Sequence, residues 1–336
     1  MKKLVFYVKR VFGMDYKTMF KTINKVHKRS GKSRIFIFFD MINCSIKYLA
    51  GYTDYFLFYF ENLNAKQRAT YITRGVNDRY IRALNDRAYY DYFWNKVKFN
   101  KTFKEFIGRD FLDLSKSSFK KFDEFVKKHP IIMAKPIDES GGKGIFKLDM
   151  KGMDTKQVFK ELKETGRTLI EEYVVQHDTM NKLCASSVNT LRIVTIRKDN
   201  HTNIMMRVIR MGDGNHDVDN FHSGGMYSFF DEKGVIMYPA IDREGHSHLV
   251  HPATKTKIKG FKIPYYKEAI NLAIKASEKI PQIGYIGFDI AITKNGPILI
   301  EGNELPGYDL YQSKVHMSKN KEGKKPEFDA IIYKKN

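Results

Sequence analysis

The side chains best suited to hold a divalent cation stand late in the chain. Gly287-Phe288-Asp289-Ile290-Ala291-Ile292-Thr293 is followed by Lys294-Asn295-Gly296 and then by Pro297-Ile298-Leu299-Ile300-Glu301-Gly302-Asn303. Two apolar runs around an Asn-Gly turn signal predict two strands in a hairpin. Glu301 and Asn303 are two apart and share a face. Asp289 joins them only if the turn has the right parity. A two-residue Asn295-Gly296 turn sets it opposite Gly302, pointing away. A three-residue Lys294-Asn295-Gly296 loop, with Gly296 at positive φ, sets it opposite Glu301. The three-residue loop is the expectation. Two carboxylates and an amide oxygen then form a hard-oxygen site suited to Mg2+ shared with nucleotide phosphates. Solvated acids at strand ends are the plainer reading, but these apolar neighbours imply burial, where unpaired carboxylates are costly.

A second segment complements the first: Lys135-Pro136-Ile137-Asp138-Glu139-Ser140-Gly141-Gly142-Lys143-Gly144-Ile145. The short apolar run Ile131–Ala134 predicts a strand that ends on a lysine, and the glycines permit a backbone nest whose N–H groups face an anion. Lys135 supplies a fixed positive charge and Lys143 a mobile one. The pattern is neither a P-loop nor a dinucleotide fingerprint, because a strand rather than a helix follows the glycines. An ordinary Gly-rich hairpin is the alternative.

These segments need a scaffold. In 336 residues, 59 Lys and Arg against 38 Asp and Glu leave a net charge of +21, and 42% of residues are hydrophobic, which is a globular composition able to form a sizeable core. Cys44 and Cys184 are far apart, excluding a disulfide framework or a cysteine zinc site and fitting a reducing, cytoplasmic setting. No apolar stretch approaches the roughly 18 to 20 residues of a membrane span. Residues 1–34 hold eleven Lys and Arg against Asp15 alone. Val8, Val11, Phe12, Met19, Ile23 and Val26 recur there at helical spacing, so basic amphipathic helices are expected, either solvated or resting on a polyanionic substrate or on anionic lipid at the inner face of a membrane. Residues 36–125 read as mostly helical. Strands are expected at Ile145–Leu148, Thr168–Val175, Val188–Arg197, Ile204–Met211, Met226–Phe230, Gly284–Thr293 and Pro297–Glu301, with helices near Thr155–Thr165 and Tyr265–Lys279. The Lys-rich tail from Ser318 reads as a frayed end.

The order strand-Lys-Pro, Gly-rich loop, Glu171-Glu172-Tyr173-Val174, then Asp289 and Glu301-Gly302-Asn303 resembles the ATP-grasp superfamily over about residues 90–312. Asn189-Thr190-Leu191-Arg192 and Asn220-Phe221-His222-Ser223-Gly224-Gly225 are most similar to its sugar-transfer-associated branch. The resemblance implies an α+β, ATP-grasp fold in which two α+β subdomains grip ATP, with a mostly helical, basic N-terminal region. It divides the chain into 1–90, a catalytic domain 91–312 with subdomains 91–170 and 171–312, and the tail 313–336. It implies ATP and Mg2+ as cofactors. Lys135 is assigned to the phosphates, Ser140, Gly141, Gly142, Lys143 and Gly144 to the covering loop, and Lys96, chosen over Lys98 and Lys101, to an earlier phosphate contact. Glu171 is assigned to the adenine amine, Glu172, Tyr173 and Val174 to the rest of the hinge, Asp178 to the ribose, and Asp289, Glu301 and Asn303 to the metal.

One position departs from the pattern of many amino-acid-ligating members: Gly287 stands where they carry an arginine. Charge on the transferring phosphoryl group then falls to Arg192, Arg207 or Arg210, of which Arg192 and Arg210, with Lys143, are taken as catalytic. His222 and Ser223-Gly224-Gly225 are expected near an acceptor opening. The resemblance implies a cytoplasmic ATP-dependent ligase that forms a C–N bond through an acylphosphate, joining an amino compound to an anionic glycan-related acceptor in polysaccharide biosynthesis. Alternatives are a kinase acting on a hydroxyl and a basic membrane or polyanion binder with a weak ATP site. No RNP, KH, helix-turn-helix or zinc motif supports nucleic acid as a partner.

Overall fold

The computed structural model describes residues 15–138, 144–214, 225–242, 244–313 and 320–334. The chain forms two compact units, one of residues 1–83 with 307–336 and the other of 84–306.

The first unit is helical, with α1 (Tyr16–Ser30), α2 (Arg34–Tyr48), α3 (Tyr52–Leu57), α4 (Ala65–Ala69) and α5 (Arg74–Leu84). Asp15 caps α1 by accepting the Thr18 N–H at 3.0 Å, and Gly31, at φ +72°, ends it. Met19, Ile23 and Val26 are buried, as their spacing requires, and join Ile37, Met41, Tyr55, Phe58, Phe60 and Tyr71 in one core. Val8, Val11 and Phe12 lie outside the described residues. The tail corrects an expectation. Residues Lys325–Ile332 form a helix with Phe328 fully buried, its ring stacked 5.9 Å from Tyr80. Gln312 binds both polar groups of Ile72, accepting its N–H at 2.7 Å and donating to its carbonyl at 2.9 Å. Lysine content misled because Phe328 and Ile332 anchor the segment beneath the charges.

The second unit opens with α6 (Asp91–Trp94), α7 (Lys96–Thr102) and α8 (Lys104–Ile107), a broken series rather than one helix, since Asn95 accepts the Lys98 N–H and starts α7 anew. Two antiparallel sheets follow. The smaller has the order β1 (Phe111–Asp113), β4 (Leu169–Glu172), β2 (Ile131–Lys135), β3 (Phe146–Asp149). Helices α9 (Phe119–Lys128) and α10 (Thr155–Glu164) share its core through Phe122, Val126, Val158 and Leu162. The larger has the order β11 (Gly296–Asn303), β10 (Tyr285–Thr293), β5 (Thr190–Lys198), β6 (His201–Met211), β7 (Met226–Phe229), β8 (Ala240–Ile241), β9 (Ser247–His248). Between the sheets the chain passes through α11 (Asp178–Asn181), and α12 (Tyr266–Ser277) packs a face of Ala269, Ala273, Ala276 and Ser277 on the larger sheet. The mixed α and β architecture is the one the sequence implied, and β1, β8 and β9 are additions too short to carry a periodic signal.

Candidate active site

The hairpin of β10 and β11 reaches the expected pairing by another route. Thr293 pairs with Gly296, so the turn is the two residues Lys294-Asn295, with Gly296 at φ +112°. That register alone would set Asp289 opposite Ile300. A bulge intervenes: Ile290 pairs with Leu299 while Asp289 pairs with Glu301, and the extra residue Ile300 restores the parity. A bulge leaves backbone groups short of partners, and here Arg109 supplies them. Its Nη1 donates to the Leu299 carbonyl at 2.6 Å and its Nη2 to the Ile300 carbonyl at 3.1 Å. On the other side of β11, a Cβ on Gly302 would come within 3.0 Å of the Phe93 ring and 3.1 Å of Phe99. Only glycine lets those rings close against the strand, and alternation then directs Glu301 and Asn303 to the opposite face. The Asn303 amide lies 3.4 Å from Glu301 Oε1.

Asp289 is 2% exposed and two arginines clasp it. Arg192, its direct neighbour on β5, bonds Oδ1 through Nε and Oδ2 through Nη2 at 2.7 Å, and Arg210 Nη1 reaches Oδ2 at 3.0 Å. Burial pushes this carboxyl up, but the guanidinium charges outweigh it and hold it down at about 2. Glu301 keeps 51% of its side-chain surface, and Arg192 Nη2 lies 4.0 Å away. The crowding of protein around it, followed by the charge of Asp289, raises its carboxyl above the ordinary range. Arg207 faces the other side of the sheet, 3.6 Å from Glu232, so it leaves the group of candidates.

The smaller sheet contributes cations. Lys135 ends β2 and pairs with the buried Glu171 through Oε2. Asn100 donates to Oε1 of the same carboxylate at 2.7 Å and Arg109 at 2.8 Å. Both oxygens of Glu171 therefore bond protein groups, Oε2 with Lys135 and Oε1 with Asn100 and Arg109, as both oxygens of Asp289 bond the two arginines. Burial opposes the ionisation of Glu171, yet Arg109 and Lys135 hold it well below the usual carboxylate range. Lys96 donates from Nζ to the Pro136 carbonyl at 3.1 Å. Its ammonium is lowered chiefly by burial; Glu301 opposes that and Lys135 adds to it, so the three charges share one field.

The remaining hinge residues diverge. Glu172 stands on the other face of β4, accepting the Asp110 N–H at 3.0 Å near His129, because neighbouring strand residues alternate. The Tyr173 N–H donates to the Ile131 carbonyl at 3.3 Å, and Lys147 sits 4.3 Å over its ring. Val174 is half-buried just past β4. Asp178 is exposed at the start of α11, 3.2 Å from Lys294 in the hairpin turn. Gly144 takes φ +68°, and its carbonyl accepts from Arg167 at 3.2 Å. Ser140, Gly141, Gly142 and Lys143, and likewise Asn220 to Gly224 with His222, lie outside the described residues. Arg109 and Asn100 escaped the sequence reading. Arg109 follows a helix and Gly108, a setting typical of an exposed cation, and its partners lie 62 and 190 residues away.

The assembled groups are those that could hold a cation and polyphosphate: an oxygen face on β10 and β11, two arginines beside it, and lysines on the neighbouring sheet. Among solved structures the chain is similar to the ATP-grasp ligase PsnB complexed with a minimal precursor, at 12% identity over 77% of this chain and 68% of that one, TM-score 0.46. It is also similar to D-alanyl-alanine synthetase A from Vibrio cholerae O1 biovar eltor, at 12% identity over 70% and 60%, TM-score 0.39. N5-carboxyaminoimidazole synthetase from Staphylococcus aureus, complexed with ADP, is similar at 16% identity over 65% and 46%, TM-score 0.39. The chain thus spans less than two thirds of the latter two proteins. No curated protein matches it. The family model for sugar-transfer associated ATP-grasp proteins matches residues 75–322, the span that contains both sheets and every clustered group above, and the chain belongs to that family.

Proposed function

We propose that the protein is an ATP-dependent carboxylate-amine ligase acting through an acylphosphate on an anionic, glycan-related acceptor. The observation that carries the reading is the placing of Asp289, Glu301 and Asn303 on one sheet face beside Arg192 and Arg210, in one field with Lys96 and Lys135. The family's cofactors are ATP and Mg2+, and the donor set fits them: carboxylate and amide oxygens suit a hard cation, and lysines suit phosphates. When bound between these oxygens and the phosphates, Mg2+ would supply charge neutralisation.

In this proposal Asp289, Glu301 and Asn303 hold the cation, while Lys135, kept in place by Glu171, and Lys96 bind phosphate oxygens. An acceptor carboxylate oxygen then bonds to the γ-phosphorus as the bond between that phosphorus and the bridging oxygen breaks, releasing ADP. Arg192 and Arg210 offset the charge gathering on the phosphoryl oxygens. An amine nitrogen next attacks the acyl carbon, phosphate leaves with the C–O bonding pair, and the amine's surplus proton passes to solvent. The +21 balance favours an acidic acceptor by concentrating anions at the surface. The test is a screen of acidic sugar derivatives and amines for ATP-dependent ADP release, with mass spectrometry of products. An amide with free phosphate is the expected result; a stable phosphoester would replace the ligase with a kinase.

The departure at position 287 acquires a physical meaning in this scheme. A Cβ on Gly287 would lie 3.2 Å from Arg192 Cδ, 3.3 Å from Nη1 and 3.4 Å from Pro306 Cβ. The strand arginine therefore uses room that a side chain at 287 would occupy. Gly287→Ala is expected to displace the guanidinium and lower kcat by about tenfold, the scale of a weakened charge-assisted contact. Steady-state phosphate release beside a thermal melt checks this, and an unchanged kcat would remove Arg192 from the reaction.

A further inference from the structure

Helix α2 is apolar on two opposite sides. Ile37, Met41 and Cys44 face the core, whereas Ile35, Phe39, Ile42 and Ile46 are 73%, 63%, 40% and 55% exposed, with Phe36 beside them at 50%. Spacings of four, three and four residues place the exposed set in one stripe. The one acid of this helix is withdrawn from it. Asp40 makes two bonds of 2.7 Å to Arg68 and accepts from the Tyr55 hydroxyl at 2.7 Å. The exposed charges at the two ends of α2 are Arg34 and Lys47, and α1 exposes Lys17, Lys21, Lys25 and Lys28, again at helical spacing. Asp15, which caps α1, is the exposed acid of this region.

We propose that this face docks on an anionic lipid bilayer, with Ile35, Phe39, Ile42 and Ile46 entering the boundary between headgroups and acyl chains and Arg34, Lys47 and the exposed lysines of α1 meeting lipid phosphates. Among the described residues no helix is long and apolar enough to cross a membrane, so the contact is with its surface. Charge selects the occupant. A second copy of the chain would bring the same cations to helices that, among the described residues, expose no acid beyond the cap Asp15, whereas an anionic surface complements them. The inference is independent of the ligase reading, because it uses no residue of that site.

The full chain should co-sediment with vesicles of phosphatidylcholine and phosphatidylglycerol at least about tenfold more tightly than with phosphatidylcholine alone, and salt near about 0.5 M should weaken it strongly. Joint substitution Ile35→Ser and Phe39→Ser should cost about tenfold in vesicle affinity, since two inserted side chains are lost. The same pair should leave the melting temperature near wild type, both side chains being exposed. Cys44 and Cys184 are buried, so Phe39→Cys offers a selective attachment point for an environment-sensitive fluorophore, expected to shift to the blue on anionic vesicles alone. Absence of vesicle binding, or binding indifferent to the double substitution, overturns the proposal. So does a blue shift without lipid, whether it grows with protein concentration, as a second copy would cause, or disappears on deleting residues 1–14, as a covering segment of the same chain would cause.

Discussion

Asp289→Asn and Glu301→Gln are each expected to reduce ATP-dependent phosphate release by about a thousandfold or more, because in the proposed reaction each would remove a hard anionic ligand worth several kcal/mol to charge neutralisation at the transferring phosphoryl group. Their stabilities should differ. Glu301 is half exposed and loosely bonded, so Glu301→Gln melts close to wild type. Asp289 is the buried counter-charge of Arg192 and Arg210, and its amide leaves two guanidinium groups without one. A loss of about 3 kcal/mol follows from breaking a buried ion pair, or roughly 6 to 12 °C in a unit of this size. Parallel melts with and without ATP and Mg2+ separate the causes. Glu301→Gln should lose the nucleotide-dependent rise in melting temperature while remaining folded. Wild-type turnover in both variants would remove the cation from this face.

How far the sequence disclosed this site depends on the distance over which each signal acts. The strands Ile131–Lys135, Phe146–Asp149, Tyr285–Thr293 and Gly296–Asn303 follow from short apolar runs and breakers, and were legible to within a few residues. The pairing of Asp289 with Glu301 was legible as a requirement and not as a mechanism. Turn residues announce a hairpin but not a bulge, and the bulge at Ile300 depends on Arg109, far away in sequence. Glu171 shows the same limit: Glu-Glu-Tyr-Val marks a strand end, whereas the partners of each carboxylate are set by neighbouring strands and by α7. Charge patterns misled where a few apolar anchors dominate, as Phe328 does in the tail. They were informative on α1, where Met19, Ile23 and Val26 are buried while Lys17, Lys21, Lys25 and Lys28 stay exposed.

Glu171 is the buried counter-charge of Lys135 and Arg109. Its carboxylate is buried, holds Lys135 by one oxygen, and is bonded by Asn100 and Arg109 at the other. Glu171→Gln leaves both cations in a dry setting without their anion, which should cost about 3 to 5 kcal/mol and lower the melting temperature by roughly 10 °C. The sign of the pH dependence is fixed by direction. The folded carboxyl lies well below its unfolded value of about 4.3. Its stabilisation is therefore complete above that value and is lost as pH falls toward the folded one. The melting gap between wild type and Glu171→Gln should be widest at neutral pH and narrow below about pH 4; a gap that stays constant or widens on acidification refutes the ionised pair. A purely structural carboxylate would stop there. Because Lys135 is the group it positions, the variant should also bind ATP about tenfold more weakly at temperatures where it is fully folded. Arg109→Leu distinguishes the two sides of the same carboxylate. It keeps the Lys135 pairing but strips the Leu299 and Ile300 carbonyls of their donor, so the hairpin register, and with it the position of Glu301, should suffer more than nucleotide affinity. If Arg109→Leu weakens ATP binding as much as Glu171→Gln while turnover at saturating ATP is preserved, the guanidinium serves the lysine rather than the bulge.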